Sequence, residues 1–408
     1  MARKKRKSTA VYKKKDDGLR IYLNKTVFDA ALDRIRYLFS EFENIVVGFS
    51  GGKDSTVCFN LTMMVAREMG RLPLKVMFID QEAEWEGTIK TVERVMTHKD
   101  VEPYWLQVPM VITNNASSFD RYNHCWDPDR KDEWIHPQHP LSIKENTYGT
   151  ERFHDLFTRF ISIQFEDQKT ALIGGVRTQE SPKRLVGLTQ HPTYKWVTWG
   201  KQFTKRHFVF YPIYDWKSHD IWKAIHDNRW HYNPVYDGLY RHGVTLKDMR
   251  ISNLHHETAL QNLLLIQEIE PQTWDKIAHR IAGANTIKHL RLKSFSRPDV
   301  LPFMFESWGE YCYYLIDKII QEEDNKIAML RKLRSFEKRY THEAIREDMY
   351  KVAINTILSS DWDFTKMANF SCQAPVFVYL KWKNRPDFRP GGSPSLLKYI
   401  PVEALPNG

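Results

Sequence analysis

The stretch VVGFSGGKDSTVCFN, residues 46–60, decides how this chain is read. Its opening belongs to an apolar run, Ile45–Phe49, with the length and composition of a buried strand. Its close begins another run, Thr56–Met69, with apolar residues at helical spacing. Between them stand Ser50, Gly51, Gly52, Lys53, Asp54 and Ser55. Paired glycines let the backbone approach a ligand, and the unpaired N–H groups of a helix start attract anions. A phosphate is therefore the expected ligand. The Walker loop does not fit, because it needs glycine where Val47 stands and serine or threonine where Asp54 stands.

Outward from that loop, apolar runs and amphipathic segments alternate. Strands are expected at Ile45–Phe49, Lys75–Ile79, Tyr104–Val108, Ala171–Gly174 and His207–Phe210. Helices are expected at Lys25–Phe42, Thr56–Met69, Glu86–Thr97 and Glu151–Gln168. The alternation predicts an α/β fold, with a mostly parallel sheet and flanking helices. Ligands of such sheets bind beyond the carboxyl ends of the strands, where the loops at Ser50 and Gly175 lie. Ala116–Thr150 has little periodicity and reads as a long loop. From Ile251 onward the pattern turns helical, with helices expected at Thr258–Ile269, Pro271–Ala284, Ser307–Phe336 and His342–Leu358. The expected division is an arm at 1–17, an α/β domain at 18–250, a helical C-terminal extension at 251–365 and an irregular, proline-rich tail at 366–408.

Composition narrows the classes. A hydrophobic content of 42% supports an ordinary globular core. No apolar run approaches membrane-spanning length, and the basic N-terminus has no apolar stretch behind it, so a soluble, cytoplasmic protein is expected. Cys58, Cys125, Cys312 and Cys372 are scattered and form no disulfide framework or cluster motif. The net charge is +10, but residues 1–15 carry eight Lys/Arg and no acid. The arm is thus the basic element, either a solvated tail or a contact for nucleic acid phosphates.

Four stretches carry the chemistry. In the first loop, backbone N–H groups would hold the outer phosphates and Lys53 would neutralise them. Ser50 and Ser55 would donate hydrogen bonds, and Asp54 would help hold a magnesium ion. After the second strand comes an acidic cluster, in which Asp80, Glu82 or Glu84 would complete a metal site or touch a ribose, or serve as an acidic helix start. Asp80, at the strand end, is the preferred member. The third stretch, GGVRTQESPKR, leaves a strand through Gly174 and Gly175. It presents Arg177, Glu180, Lys183 and Arg184, a loop able to clamp phosphate or sulfate with forked donors. The fourth, PIYDWKSHDIW followed by YNPVYD, reads mainly as architecture, with Ser218 as a helix cap. His124, Cys125, His136 and His139 offer a zinc-type alternative whose spacing fits no standard pattern.

The loop SGGKDS resembles the pyrophosphatase-type loop of ATP-using enzymes that release pyrophosphate. With FIDQEAEWEGT, GGVRTQESPKR, PIYDWKSHDIW and YNPVYDGLY in order over Asn44–Tyr240, the chain resembles the phosphoadenosine phosphosulfate (PAPS) reductase-like family. That family belongs to the PP-loop ATP pyrophosphatase, or adenine nucleotide α-hydrolase, superfamily, and it implies a HUP-like, Rossmann-type sheet. The basic arm and helical extension resemble the branch of prophage gene-expression co-activators of IbrA type, which implies a ParB-like protein partner. The chain departs from the family's reductases. It has no nucleophilic cysteine motif in its tail, and Arg241–Thr245 stand where relatives begin a four-cysteine signature, so no iron–sulfur cluster is expected.

The resemblance and the residues together imply an ATP pyrophosphatase or adenylyl-transferring enzyme that uses ATP and magnesium. Lys53, Asp54 and Arg177 would be catalytic. Ser50, Gly51, Gly52, Ser55, Asp80, Gly175, Glu180, Lys183 and Arg184 would bind the nucleotide, and Asp54 would hold the metal. The alternative is a nucleotide-gated transcriptional co-activator without turnover. A true sulfonucleotide reductase is the reading least supported.

Overall fold

The computed structural model describes residues 24–114, 122–180, 182–189, 193–246, 249–251, 260–281, 284, 297–320, 322–359, 361–362, 364–370 and 372. The arm at 1–17 lies outside the described residues, as does the tail beyond residue 372. The described residues fall into two compact units. One is drawn from Met1–Val111, His124–Leu254 and Leu265–Thr273, the other from Ile112–Asn123, His255–Leu264 and Trp274–Gly408.

The first unit is built on a sheet. In chain order its elements are α1 (Val27–Glu41), β1 (Asn44–Gly48), α2 (Lys53–Glu68), β2 (Leu74–Ile79), α3 (Glu86–Met96) and β3 (Val101–Leu106). Then come β4 (Met110–Thr113) and β5 (Tyr122–Cys125), each only partly in this unit, and α4 (Phe153–Gln164), β6 (Thr170–Ile173), α5 (Pro182–Thr189), β7 (Gly200–Gln202), β8 (His207–Phe210), α6 (Ser218–Asp227) and α7 (Val235–Arg241). The six-stranded sheet runs β3-β2-β1-β6-β8-β7, and β4 pairs with β5 separately. All neighbours in the large sheet are parallel except β7, which is antiparallel to β8. This is the mostly parallel α/β sheet the alternation predicts. β6 and β8 are buried along their whole length, each with a three-residue apolar run, Ala171–Ile173 and Phe208–Phe210. The chain leaves β1 toward β2 on one side and later returns to β6 on the other. The crevice at such a switch point lies at the end of β1, where the Ser50 loop begins.

The differences from expectation have local causes. The third strand runs from Val101, not Tyr104, and includes Pro103. Proline argues against a central strand, but β3 is an edge and tolerates it. The helix after the loop starts at Lys53 instead of Thr56, with Gly52 as its N-cap. Ser218 is the first residue of α6 rather than its cap; Asp220 Oδ2 accepts from the Lys217 N–H at 2.7 Å and closes that end. The region expected as one long loop, Ala116–Thr150, contains β5 and a 3₁₀ turn at Pro128–Glu133, while residues 115–121 lie outside the described set.

The later chain is helical, as expected: α8 (Leu260–Ile269), α9 (Pro271–Arg280), α10 (Trp308–Ile319), α11 (Glu323–Arg339), α12 (Glu343–Leu358) and α13 (Thr365–Ala368). The single helix expected over Ser307–Phe336 is two. Ser307 caps α10 by accepting from Glu310 N at 3.1 Å, and the chain turns extended at Ile320. Glu323 and Asp324 then open α11, where the helix dipole favours acids. The break lets Cys312, Leu315 and Ile316 share one core with Met329, Leu333 and Phe336 of α11 and with Met349, Ala353 and Ile354 of α12.

Candidate functional site

The loop turns sharply at Gly51, whose φ of +69° lies in the left-handed region. A Cβ there would also press on Thr88 Cγ2 at 3.0 Å. Within the loop, Ser50 and Ser55 bond each other: their hydroxyls are 3.1 Å apart, Ser50 N donates to Ser55 Oγ, and Ser55 Oγ donates to Gly52 O. The serines therefore set the loop's shape as well as lining it.

Because α2 begins at Lys53, Lys53 and Asp54 stand in its first turn. Lys53 is 5% exposed. Its Nζ donates to Met249 O at 3.0 Å, lies 3.4 Å from Asp54 Oδ2 and sits 5.4 Å from the centre of the Tyr236 ring. Burial pushes its pKa down; Asp54 opposes this, while Arg177 and Arg250 add to it. The Lys53 N–H donates to the Tyr236 hydroxyl at 3.0 Å.

The third stretch closes over this turn. A Cβ on Gly175 would lie 2.9 Å from both Asp54 C and Ser55 N, so only glycine lets the β6 exit pass so near the start of α2. Arg177, 3% exposed, donates through Nε to Asp54 Oδ1 and reaches Gln179 Oε1 at 3.2 Å. Arg177 Nη2 is 3.8 Å from Glu180 Oε1, and Glu180 also pairs with Arg184. Burial lowers the Arg184 pKa, as do Arg250 and Arg177. Lys183 falls in the first turn of α5; its side chain is not among those described. The structure thus joins Ser50 through Ser55 with Gly175, Arg177, Glu180 and Arg184.

Asp80 is engaged elsewhere. It is fully buried, and its carboxylate accepts from Trp105 Nε1 at 3.0 Å, Gln107 Nε2 at 2.9 Å and Glu82 N at 2.9 Å. His136 Nε2 lies 3.4 Å from it. Glu84 is buried beside it, and burial, then the Asp80 charge, lift its pKa well above the carboxylate range. His136 and His139 do not converge: His139 stacks on Trp105 with ring centres 4.7 Å apart and faces Glu93. Among the described residues no group of three or more His, Cys, Asp or Glu side chains is arranged to hold a metal ion. Nor does Asp54 fit a magnesium ion as placed, since its two oxygens already face the cations Arg177 and Lys53.

Several contributors were not singled out from the sequence. Asn233, fully buried, donates to Thr88 Oγ1 at 2.9 Å and Gly51 O at 3.4 Å. Asn233 and Tyr236 make the YNPVY segment, read mainly as architecture, part of the loop's wall. Met249, Arg250 and Glu270, whose carboxylate accepts from Glu86 N and Gly87 N at 2.7 and 2.9 Å, carried no sequence signal.

A mostly parallel sheet with a switch point at β1 and a Gly-Gly loop running into the first turn of α2 form the strand–loop–helix arrangement expected of a nucleotide-binding fold. The phosphoadenosine phosphosulfate reductase domain matches residues 44–242, and a domain of unknown function, DUF3440, matches residues 243–371. The chain is 30% identical over 333 residues to the uncharacterized protein YbdN of Escherichia coli, covering 76% of this chain and 80% of that one. The chain belongs to the PAPS reductase-like family. It is also 25% identical over 209 residues to sulfate adenylyltransferase subunit 2 of Mycobacterium bovis, covering 48% of this chain and 58% of that protein. Among solved structures it is similar to Candida glabrata FMN adenylyltransferase, with a TM-score of 0.32 and 15% identity over 53% of this chain and 61% of that one.

Proposed function

We propose that the chain binds ATP across the Gly51–Gly52 loop and cleaves it between the α- and β-phosphates, so that pyrophosphate leaves, the AMP moiety passes to an acceptor, and AMP is freed when the adenylated acceptor reacts on with water. The observation that carries this reading is the charge of the site. Arg177 and Arg250 lie close enough to Lys53 and Arg184 to lower the pKa of both, and Asp54 and Glu180 are paired among them. Such a surplus fits a ligand with several negative charges, as a triphosphate has. In this reading an acceptor oxygen attacks the α-phosphorus and the bond to the α,β-bridging oxygen breaks, so pyrophosphate leaves with the electron pair. Lys53 and the N–H groups at the start of α2 hold the outer phosphates, and Arg177 and Arg184 meet the charge that builds on the leaving group. No step is assigned to magnesium, because Asp54 as placed does not fit it. The likeness to a sulfate adenylyltransferase subunit supports adenylyl transfer as the reaction class. A cytoplasmic setting, a ParB-like partner and contact with nucleic acid through the arm at 1–17 belong to the same reading.

One observation favours a second reading, a nucleotide-gated co-activator that binds ATP without turnover. Two groups suited to phosphate, Lys53 Nζ and Lys53 N–H, are held by Met249 O and the Tyr236 hydroxyl. The test uses purified full chain and ATP labelled at the α-phosphate, with products separated by thin-layer chromatography. Labelled AMP that falls by about 10²-fold or more in Lys53→Ala supports cleavage. Intact ATP with measurable binding, with and without DNA and partner, rejects cleavage and leaves the gated reading.

A further inference from the structure

A groove of about 770 Å³ runs along one face of α11. Ile327 and Leu330 line its start, and Arg331, Arg334, Ser335, Lys338 and Arg339 line the rest, at spacings of three, four and seven or eight residues that put them on one side of the helix. The last five are exposed. The opposite side buries Met329, Leu333 and Phe336, so this face points away from the unit's core. The helix spans Arg331 to Arg339 in about 12 Å, which crowds four cations onto a short, straight row.

Nothing on the same helix neutralises them. Glu337 is taken by Tyr313 and Tyr350, whose hydroxyls donate to its Oε1 at 2.9 and 2.7 Å. Lys326, one turn earlier, is paired with Asp317 at 3.0 Å. Among the described residues, Arg331, Arg334 and Lys338 meet no carboxylate within ion-pair distance, while Arg339 packs over the Phe336 ring at 5.9 Å. The chain's own ends are poor occupants by charge. Residues 1–15 hold eight Lys/Arg and no acid, and residues 373–408 hold five against two acids. A second copy of a chain at +10 is disfavoured for the same reason.

We propose that this face of α11 is a sequence-independent docking surface for the phosphate backbone of duplex DNA. Fixed cations on a rigid helix match a stiff polyanion that needs no ordering to bind, whereas an acidic peptide or a flexible single strand would lose conformational freedom. Ser335, set between Arg334 and Lys338, adds an uncharged donor of the kind that contacts phosphate oxygens. The site is a different element from the nucleotide loop and does not depend on ATP turnover.

The test compares full-length chain with the Arg331→Gln/Arg334→Gln/Lys338→Gln variant by fluorescence anisotropy on a short labelled duplex across a salt series. All three side chains are exposed, and a thermal melt checks that folding is kept. The slope of log affinity against log salt is expected to fall by about 0.9 for each phosphate contact removed, with affinity at low salt down by roughly tenfold or more. Replacing the two arginines by lysine is expected to restore most of the slope. Unchanged affinity and slope in the glutamine variant would overturn the proposal and leave any DNA binding to the arm. Absence of DNA binding by the unaltered chain would overturn it too. Loss of binding to poly-glutamate with DNA binding intact would replace DNA by an acidic protein partner.

Discussion

At the scale of single residues, the site is governed by what burial does to charge. Lys53 sits in a buried turn, where burial lowers its pKa and Asp54, a backbone carbonyl and the Tyr236 ring face its ammonium group. Glu84 has no such company. Burial and the neighbouring Asp80 charge raise its pKa, so the folded chain holds a proton that the unfolded chain releases above about pH 4.3. The folded-state pKa is the higher one. This group's favourable contribution is therefore complete below the unfolded value and is lost as pH rises through the folded one. Glu84→Gln removes that loss. Thermal melts should show the variant gaining on the order of 2–4 °C over the parent at pH 8, with the gain shrinking as pH falls toward the unfolded glutamate value. A gain independent of pH would mean the glutamine acts through packing instead.

At the scale of elements, the loop is held by helix ends. α2 starts three residues earlier than its apolar spacing suggests, because Lys53, Asp54 and Ser55 show no apolar signal although they are helical. α3 starts without a cap from its own N-cap residue, Trp85. The carboxylate of Glu270, far along the chain, supplies it. One turn into α3, Thr88 touches Gly51 and accepts from Asn233. Glu270→Ala is expected to cost about 1 kcal/mol of stability in denaturant titration and to weaken binding of a non-hydrolysable ATP analogue. Lost stability with unchanged analogue affinity would show that the cap serves the fold and not the loop.

At the scale of the whole molecule, the four cysteines all lie in the interior. All four are buried thiols outside any disulfide. Burial pushes the Cys58 thiol far up, and it pushes Cys312 up to about 12, the reverse of what a nucleophilic thiolate requires. A colourless-to-yellow thiol assay should find well under one reactive thiol per native chain within minutes and four after denaturation. One thiol that reacts at once in the native chain would reopen the reductase reading. No described helix is long and apolar enough to cross a membrane.

The sequence by itself determined the parallel α/β sheet, the glycine loop at the end of β1 and the helical character of the later chain. Each rests on a short-range pattern: apolar runs, paired glycines and helical spacing read along contiguous residues. It also singled out Lys53, Asp54, Gly175 and Arg177, because glycine and charge beside a strand end are conspicuous. Only the tertiary structure decided which acids face the loop. Asp80 and Asp54 look alike in sequence, yet one is bound by Trp105 and Gln107 and the other by Arg177 and Lys53. Tertiary structure also brought Tyr236, Met249 and Arg250 to Lys53, across separations of more than 180 residues over which local periodicity carries no information. The physical reason is the same in each case. A strand or helix is set by neighbours in the chain, whereas the partner of a buried charge is set by whatever the packed fold places beside it.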